Sequence, residues 1–325
     1  MLYDYGPGNG TFLGLPFDQL VEHGPGHEFK WERSAKPDAV IELANTGPFS
    51  ALVLSVGQAE KYQHDVEIPL IVKLDGHFYT GQVNDANYPM PTLFGSVDMA
   101  LAVGADAVGL TFYLGSERTG EDVERIGRVR EQAHQAGLPL VLWCYPRGPL
   151  PDATKVDSLL WCHYAVSAGE SLGADIIKTK FPSVVEPKRR GAYEDFILKE
   201  YRSKIPEAGR YLELEPPREQ LEAYQASLAE GDKPNYDSLL TQQEHIERAR
   251  IVTGAATRTF VVYSGGPKAA GDARAALEET TEIIMEAGGE GRIIGRNFWG
   301  VPIAEGLDLA GAVAEIMKRN KYARL

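Results

Sequence analysis

Gly173-Ala174-Asp175-Ile176-Ile177-Lys178-Thr179-Lys180-Phe181-Pro182 reads as one strand of a buried parallel sheet. A short apolar run is entered through Gly-Ala-Asp and closed by Pro182. Strands covered on both faces carry such continuous runs instead of an apolar/polar alternation. Side chains alternate along a strand, so Lys178 and Lys180 share a face with Ile176 behind them. An amine in an apolar pocket beside a second cation has a depressed pKa and attacks carbonyls. The stretch is therefore a candidate Schiff-base site. By itself it also describes two lysines solvated or paired at a strand end.

Working outward, similar runs recur with helical patterns between them. Strands are expected at 12–17, 51–56, 69–74, 106–112, 139–144, 259–263 and 291–294, besides the lysine strand. Helices are expected near 37–45, 57–63, 93–103, 121–136, 154–172, 273–287 and 304–318. Gly104, Gly137 and Gly173 each fall after a helix and before a strand, where a helix C-cap belongs. Regular alternation implies a parallel sheet, and eight strand–helix units point to a (β/α)8 TIM barrel. A doubly wound open sheet competes, but no Gly-x-Gly-x-x-Gly turn follows the first strand. The expectation is one barrel domain over 1–325.

One region breaks the rhythm. Between Pro182 and Thr259 lie roughly seventy residues, far more than a βα loop needs. Charge (Glu186 to Arg190), proline (Pro216-Pro217) and helical patterns at 193–204, 218–230 and 238–252 fill it. The last of these serves as the sixth barrel helix. The rest, within 184–251, reads as a helical insertion on the face where barrel chemistry sits, as a lid, a subunit contact or decoration.

The whole chain sets bounds. Its 325 residues are 43% hydrophobic and 24% charged, ordinary for a protein with a real core. A net charge of −13 argues against nucleic acid or an anionic membrane surface as the main partner. Cys144 and Cys162 have neither metal spacing nor the pattern of a disulfide framework. The stretch from Met1 to Gly6 lacks a basic segment and a long apolar core, and no run approaches a bilayer span. The expectation is a cytoplasmic protein.

Barrel chemistry gathers at the C-terminal strand ends. Asp18 closes the first strand, and Lys73 and Asp75 share a face at the third. Trp143 and Tyr145 share a face at the fifth, with Arg147 after them, and Lys178 and Lys180 close the sixth. A lysine, a phenol and a carboxylate at one mouth suit imine-forming carbonyl chemistry. The iminium is an electron sink, and a tyrosine beside cations can move a hydroxyl proton. Asp18 also reads as a loop cap, and Tyr145 and Trp143 as pocket-lining aromatics. The seventh and eighth exits, Ser264-Gly265-Gly266-Pro267-Lys268 and Gly295-Arg296, suit a phosphate held by backbone N–H groups and a guanidinium. Of seven histidines, His23 and His77 alone follow strands toward the mouth, which is a weak case for zinc. No metal and no cofactor is expected, and His23 reads better as a partner for Asp18.

Six motifs in order, Asp18 to Pro25, Lys73 to Gly76, Trp143 to Gly148, Gly173 to Lys180, Ser264 to Lys268 and Gly295 to Asn297, resemble the archaeal-type class I fructose-bisphosphate aldolases. These belong with deoxyribose-phosphate aldolase-like barrels. The resemblance covers nearly all of the chain outside 184–251. It implies a metal-independent Schiff-base enzyme that cleaves fructose 1,6-bisphosphate reversibly. Lys178 matches the imine-forming lysine, where strand parity alone leaves Lys178 and Lys180 open. Tyr145 matches the acid/base for the C4 hydroxyl, and Asp18 and Trp143 match pocket residues. Ser264, Gly265, Gly266, Gly295 and Arg296 match the phosphate cradle. Lys73, Arg147 and Lys180 are expected among the substrate contacts. The resemblance further implies a phosphorylated sugar as substrate and a homo-oligomeric assembly. Two rival readings are a lysine-dependent lyase of another phosphorylated ketose or dione, and a non-catalytic phosphosugar-binding barrel. A metal-dependent lyase is the third.

Overall fold

A computed structural model describes residues 1–18, 26, 29–78, 89–202, 205–265 and 272–324. Eight parallel strands close into a barrel. They are β1 (Phe12–Phe17), β2 (Ala51–Ser55), β3 (Leu70–Lys73), β4 (Ala107–Leu114), β5 (Leu140–Pro146), β6 (Ile176–Thr179), β7 (Phe260–Ser264) and β8 (Gly291–Ile293). Each pairs with its neighbours in chain order, and β1 closes the ring against β8.

Strand parity sorts the core into two parts. Phe12, Val53, Ile71, Ala107, Val141, Ile176, Val262 and Ile293 fill the barrel's inside. The alternate positions, such as Leu13, Leu52, Val72, Leu110, Leu142 and Ile177, pack outward against the helices. Burying each such side chain contributes about 1.5–3 kcal/mol, so both faces reward a continuous apolar run. Helix Thr119–Gln135 ends into Gly137 at φ +77° and helix Leu159–Ser171 into Gly173 at φ +82°. A side chain there would strain the backbone, which is why glycine precedes both strands.

Several boundaries differ from the sequence reading. β5 runs on to Pro146, because β4 continues to Leu114 and offers it a pairing partner. β3 stops at Lys73, and Asp75–Gly76 instead forms a small antiparallel pair with Thr92–Leu93. The helix expected over 93–103 shortens to Val97–Ala102. The helix expected over 154–172 divides into Pro149–Thr154 and Leu159–Ser171, with Lys155 between them at φ +79°. In the insertion, Pro187–Asp195 passes into a π-helical turn, Phe196–Tyr201, before Arg218–Ser227. Helix Gln242–Thr253 then returns the chain to the barrel, packed against Leu159–Ser171.

The insertion is anchored to the exits of β5 and β6. Arg248, fully buried on Gln242–Thr253, binds Glu215 Oε1 at 2.9 Å and the carbonyls of Leu214 (2.6 Å) and Ser183 (2.9 Å). The second Glu215 oxygen accepts from the N–H of Val185 at 2.9 Å. Ser183 N–H donates to the Asp157 carbonyl (2.7 Å), and Arg189 Nε to the Asp152 carbonyl (2.7 Å). Among the described residues no helix is long and apolar enough to cross a membrane.

Candidate active site

Lys178 sits near the end of β6, 8% exposed, in register with Trp143 on β5 and Val262 on β7. Parity turns it to the inside of the barrel, as it does Ile176 two residues earlier. Its ammonium lies 5.3 Å from the centre of the Trp143 ring. Lys73 of β3 meets the same ring at 5.2 Å. The two amines thus share one indole.

The indole fits because β4 leaves room for it. A Cβ on Gly109 would fall 2.8 Å from Trp143 Cζ3 and 3.0 Å from Lys73 Cδ. Beyond β3, Asp75 leaves the ladder and its carboxylate takes the N–H of Thr111 at 3.0 and 2.9 Å. The same carboxylate binds Lys73 Nζ at 2.6 Å and Arg125 Nη1 at 2.6 Å. Arg125 also bonds Asp122 (2.6 and 3.0 Å) and the Thr111 carbonyl (2.7 Å). Asp122 in turn accepts the N–H of Tyr113 at 3.0 Å. Burial works against the Arg125 charge, but Asp75 and Asp122 outweigh it and its pKa is raised. Burial raises the pKa of Asp122, with Arg125 opposing it.

Lys73, expected among the substrate contacts, is bound within the barrel. An ammonium has three donors. Asp75 Oδ1 (2.6 Å), Thr111 Oγ1 (2.7 Å) and the Asp75 carbonyl (3.1 Å) engage them, and the residue is 1% exposed. Of this group the sequence reading had placed only Lys73 and Asp75 together. Asp122 and Arg125 carried a weaker signal, an acid–base pair three residues apart on an amphipathic helix.

Tyr145 is half-buried on β5, one pleat above Trp143, beside Tyr113 of β4. The Arg147 guanidinium carbon lies 6.0 Å from both tyrosine rings. Lys180 lies past the last residue of β6, so it is not part of the strand face that carries Lys178. It is half-buried, and burial first, then Arg147, lowers its pKa. Burial also raises Asp152, against the pull of Arg147, Arg189 and Lys180.

The remaining candidates sit at neighbouring exits. Asp18 is half-buried directly after β1. Ser264 ends β7 in register with Ile293 of β8, and Gly265 backs onto Ile294 and Asn297. A Cβ on Gly295 would reach within 2.9 Å of Trp299 Nε1, which donates to the Pro16 carbonyl at 3.0 Å. Arg296 follows, exposed, at the start of a four-residue helix. Gly266, Pro267, Lys268 and His23 lie outside the described residues. His77 packs edge-on against Tyr113, ring centres 5.7 Å apart. Among the described residues no three His, Cys, Asp or Glu side chains are grouped to hold a metal ion. The arrangement brings a buried amine, a phenol, two further cations and a glycine-lined pair of exits to one end of one barrel.

Comparison with known proteins agrees with that chemistry. A family model described as DeoC/LacD family aldolase matches residues 12–300. A probable class 1 fructose-bisphosphate aldolase of Chlamydia muridarum is 27% identical over 97% of this chain and 82% of its own length. The class 1 fructose-bisphosphate aldolase of Thermoproteus tenax is 35% identical over 53% of this chain, and the match spans 63% of that enzyme. A 2-amino-3,7-dideoxy-D-threo-hept-6-ulosonate synthase of Archaeoglobus fulgidus is 32% identical over 58% of this chain and 72% of its own. Among solved structures, an archaeal fructose-1,6-bisphosphate aldolase with its catalytic lysine covalently bound to the carbinolamine intermediate superposes with a TM-score of 0.68. It is 26% identical, covering 94% of this chain and 95% of that one.

Proposed function

This chain belongs to the DeoC/LacD aldolase family, and from that membership we propose that it is a class I fructose-bisphosphate aldolase with Lys178 as the imine-forming amine. The observation that carries the reading is Lys178 itself, buried against Trp143 at the C-terminal end of a barrel strand.

In this reading neutral Lys178 Nζ adds to the C2 ketone and water leaves, giving an iminium. Tyr145 takes the proton of the C4 hydroxyl. The C3–C4 bonding pair moves into the iminium to give an enamine, and glyceraldehyde 3-phosphate departs. Protonation of the enamine at C3 and hydrolysis of the imine release dihydroxyacetone phosphate and restore the amine. Asp18 lies at the same end for proton handling and hydroxyl contacts. One phosphate meets the N–H groups of Ser264, Gly265, Gly266 and Gly295 with Arg296 beside them. Arg147, beside Tyr145, and Lys180, a like charge coupled to Arg147, suit the other phosphate.

The match to the heptulosonate synthase favours a second reading: the same lysine acting on another phosphorylated ketose or dione. Turnover assays with fructose 1,6-bisphosphate and fructose 1-phosphate decide between them. Efficient cleavage of the bisphosphate into two triose phosphates is expected. No cleavage of it, with turnover of a different phosphorylated carbonyl compound, overturns the first reading.

A further inference from the structure

Beneath Trp143 four described ionised side chains, Lys73, Asp75, Arg125 and Asp122, are joined by ion pairs, and their formal charges cancel. The four are between 1% and 5% exposed. Taking such ions out of water is costly, and hydrophobic replacements of equal volume are often neutral or stabilising. Stability alone is therefore a weak reason for them. Their placement gives a better one. Lys73 touches both the quartet and the indole that Lys178 lies against, and the missing side chain at Gly109 lets ring and lysine stem meet.

We propose that this buried quartet is a positioning device for the imine chemistry: Asp75 holds Lys73 against Trp143, which fixes the floor beneath Lys178 and sets the charge next to it. Lys73 and Asp75 are positioning residues here, acting through the indole and through space. The inference rests on the reading of Lys178 as the reactive amine. Besides the quartet, the charged or titratable groups on the exits around Lys178 among the described residues include Asp18, His77, Tyr113, Tyr145, Arg147, Asp152, Lys180 and Arg296.

The sign of the effect separates this role from a structural one. Removing the Lys73 charge leaves the quartet net negative, which favours the Lys178 ammonium. Removing the Asp75 charge leaves it net positive, which disfavours it. The full-length enzyme is incubated with dihydroxyacetone phosphate and cyanoborohydride across pH, and reductive labelling of the Lys178 peptide is followed by mass spectrometry. Lys73→Met is expected to move the midpoint of the labelling rate up by roughly 0.5–1 pH unit, and Asp75→Asn down by a similar amount. The double variant Lys73→Met/Asp75→Asn, neutral again, returns the midpoint to the wild-type value, with a plateau rate several-fold lower because the indole has lost its support. Lys73→Arg keeps the wild-type midpoint. Single variants that move in the same direction, or midpoints that do not move, overturn the proposal. Where a single variant does not fold, a double-variant midpoint displaced from wild type by more than half a unit overturns it. Labelling of the wild type with no adduct on Lys178 overturns the reading of the reactive amine and this inference with it. Labelled wild type with unmoved variants sinks the inference alone.

Discussion

Lys180 keeps its amine half-buried beside Arg147, and among the described residues no carboxylate lies within ion-pair distance of either. Its pKa is lowered by burial and by Arg147, so the fold carries a cation it disfavours. The penalty holds at neutral pH, where the amine is charged in both states, and is lost as pH rises from the lowered value to the ordinary one of 10.5. Lys180→Met is therefore expected to raise Tm by roughly 1–3 °C at pH 7 and by progressively less as pH rises through the lowered pKa, read by calorimetry. Inorganic phosphate is expected to stabilise the wild type more than the variant. Equal stabilisation of both removes the anion role of this amine. For Tyr145, substitution by Phe is expected to slow bisphosphate cleavage about 10²–10⁴-fold while leaving imine formation at Lys178 measurable. Loss of both in a folded variant places Tyr145 elsewhere in the chemistry.

At the scale of the element, β4 is shaped by what it omits. Gly109→Ala places a Cβ 2.8 Å from the Trp143 ring and 3.0 Å from the Lys73 stem. The expected cost is about 1–3 kcal/mol, measured by urea unfolding, with a fall in activity beyond what the stability loss explains. An unchanged stability shows that the ring has room to shift. The barrel strands were legible because parallel strands buried on both faces leave unmistakable apolar runs, and because Gly137 and Gly173 mark where helices must end. That Lys178 and Trp143 lie near the same mouth was legible from their places at the ends of successive strands, while their register was not. The end of β6 at Thr179 was not, and it is what separates Lys180 from Lys178. Nor was the role of Lys73, since period-2 spacing gives the face of a side chain and not its partners. One of those partners is Thr111, 38 residues on, and the other, Asp75, is itself held by Arg125, 50 residues on. The break at Lys155 was hidden too, because a left-handed lysine leaves no trace in sequence.

Over the whole molecule, the insertion hangs on a few buried charges. Glu215 joins Arg248 of the barrel's sixth helix to Arg190 of the insertion and caps the Val185 N–H. Glu215→Gln removes one charge and leaves Arg248 buried without its counter-ion. The expected loss is about 3–5 kcal/mol, with hydrogen exchange rising first in Pro187–Asp195 and Arg218–Ser227. Uniform loss of protection across the barrel instead shows that insertion and barrel unfold as one unit. All of this serves one amine. The most direct test is reduction of the full-length protein with dihydroxyacetone phosphate and borohydride, followed by peptide mass mapping. One adduct is expected, on Lys178, absent in Lys178→Met, whose turnover falls by roughly 10³-fold or more. An adduct on Lys73 or Lys180, no adduct, or a Lys178→Met enzyme that still turns over contradicts it.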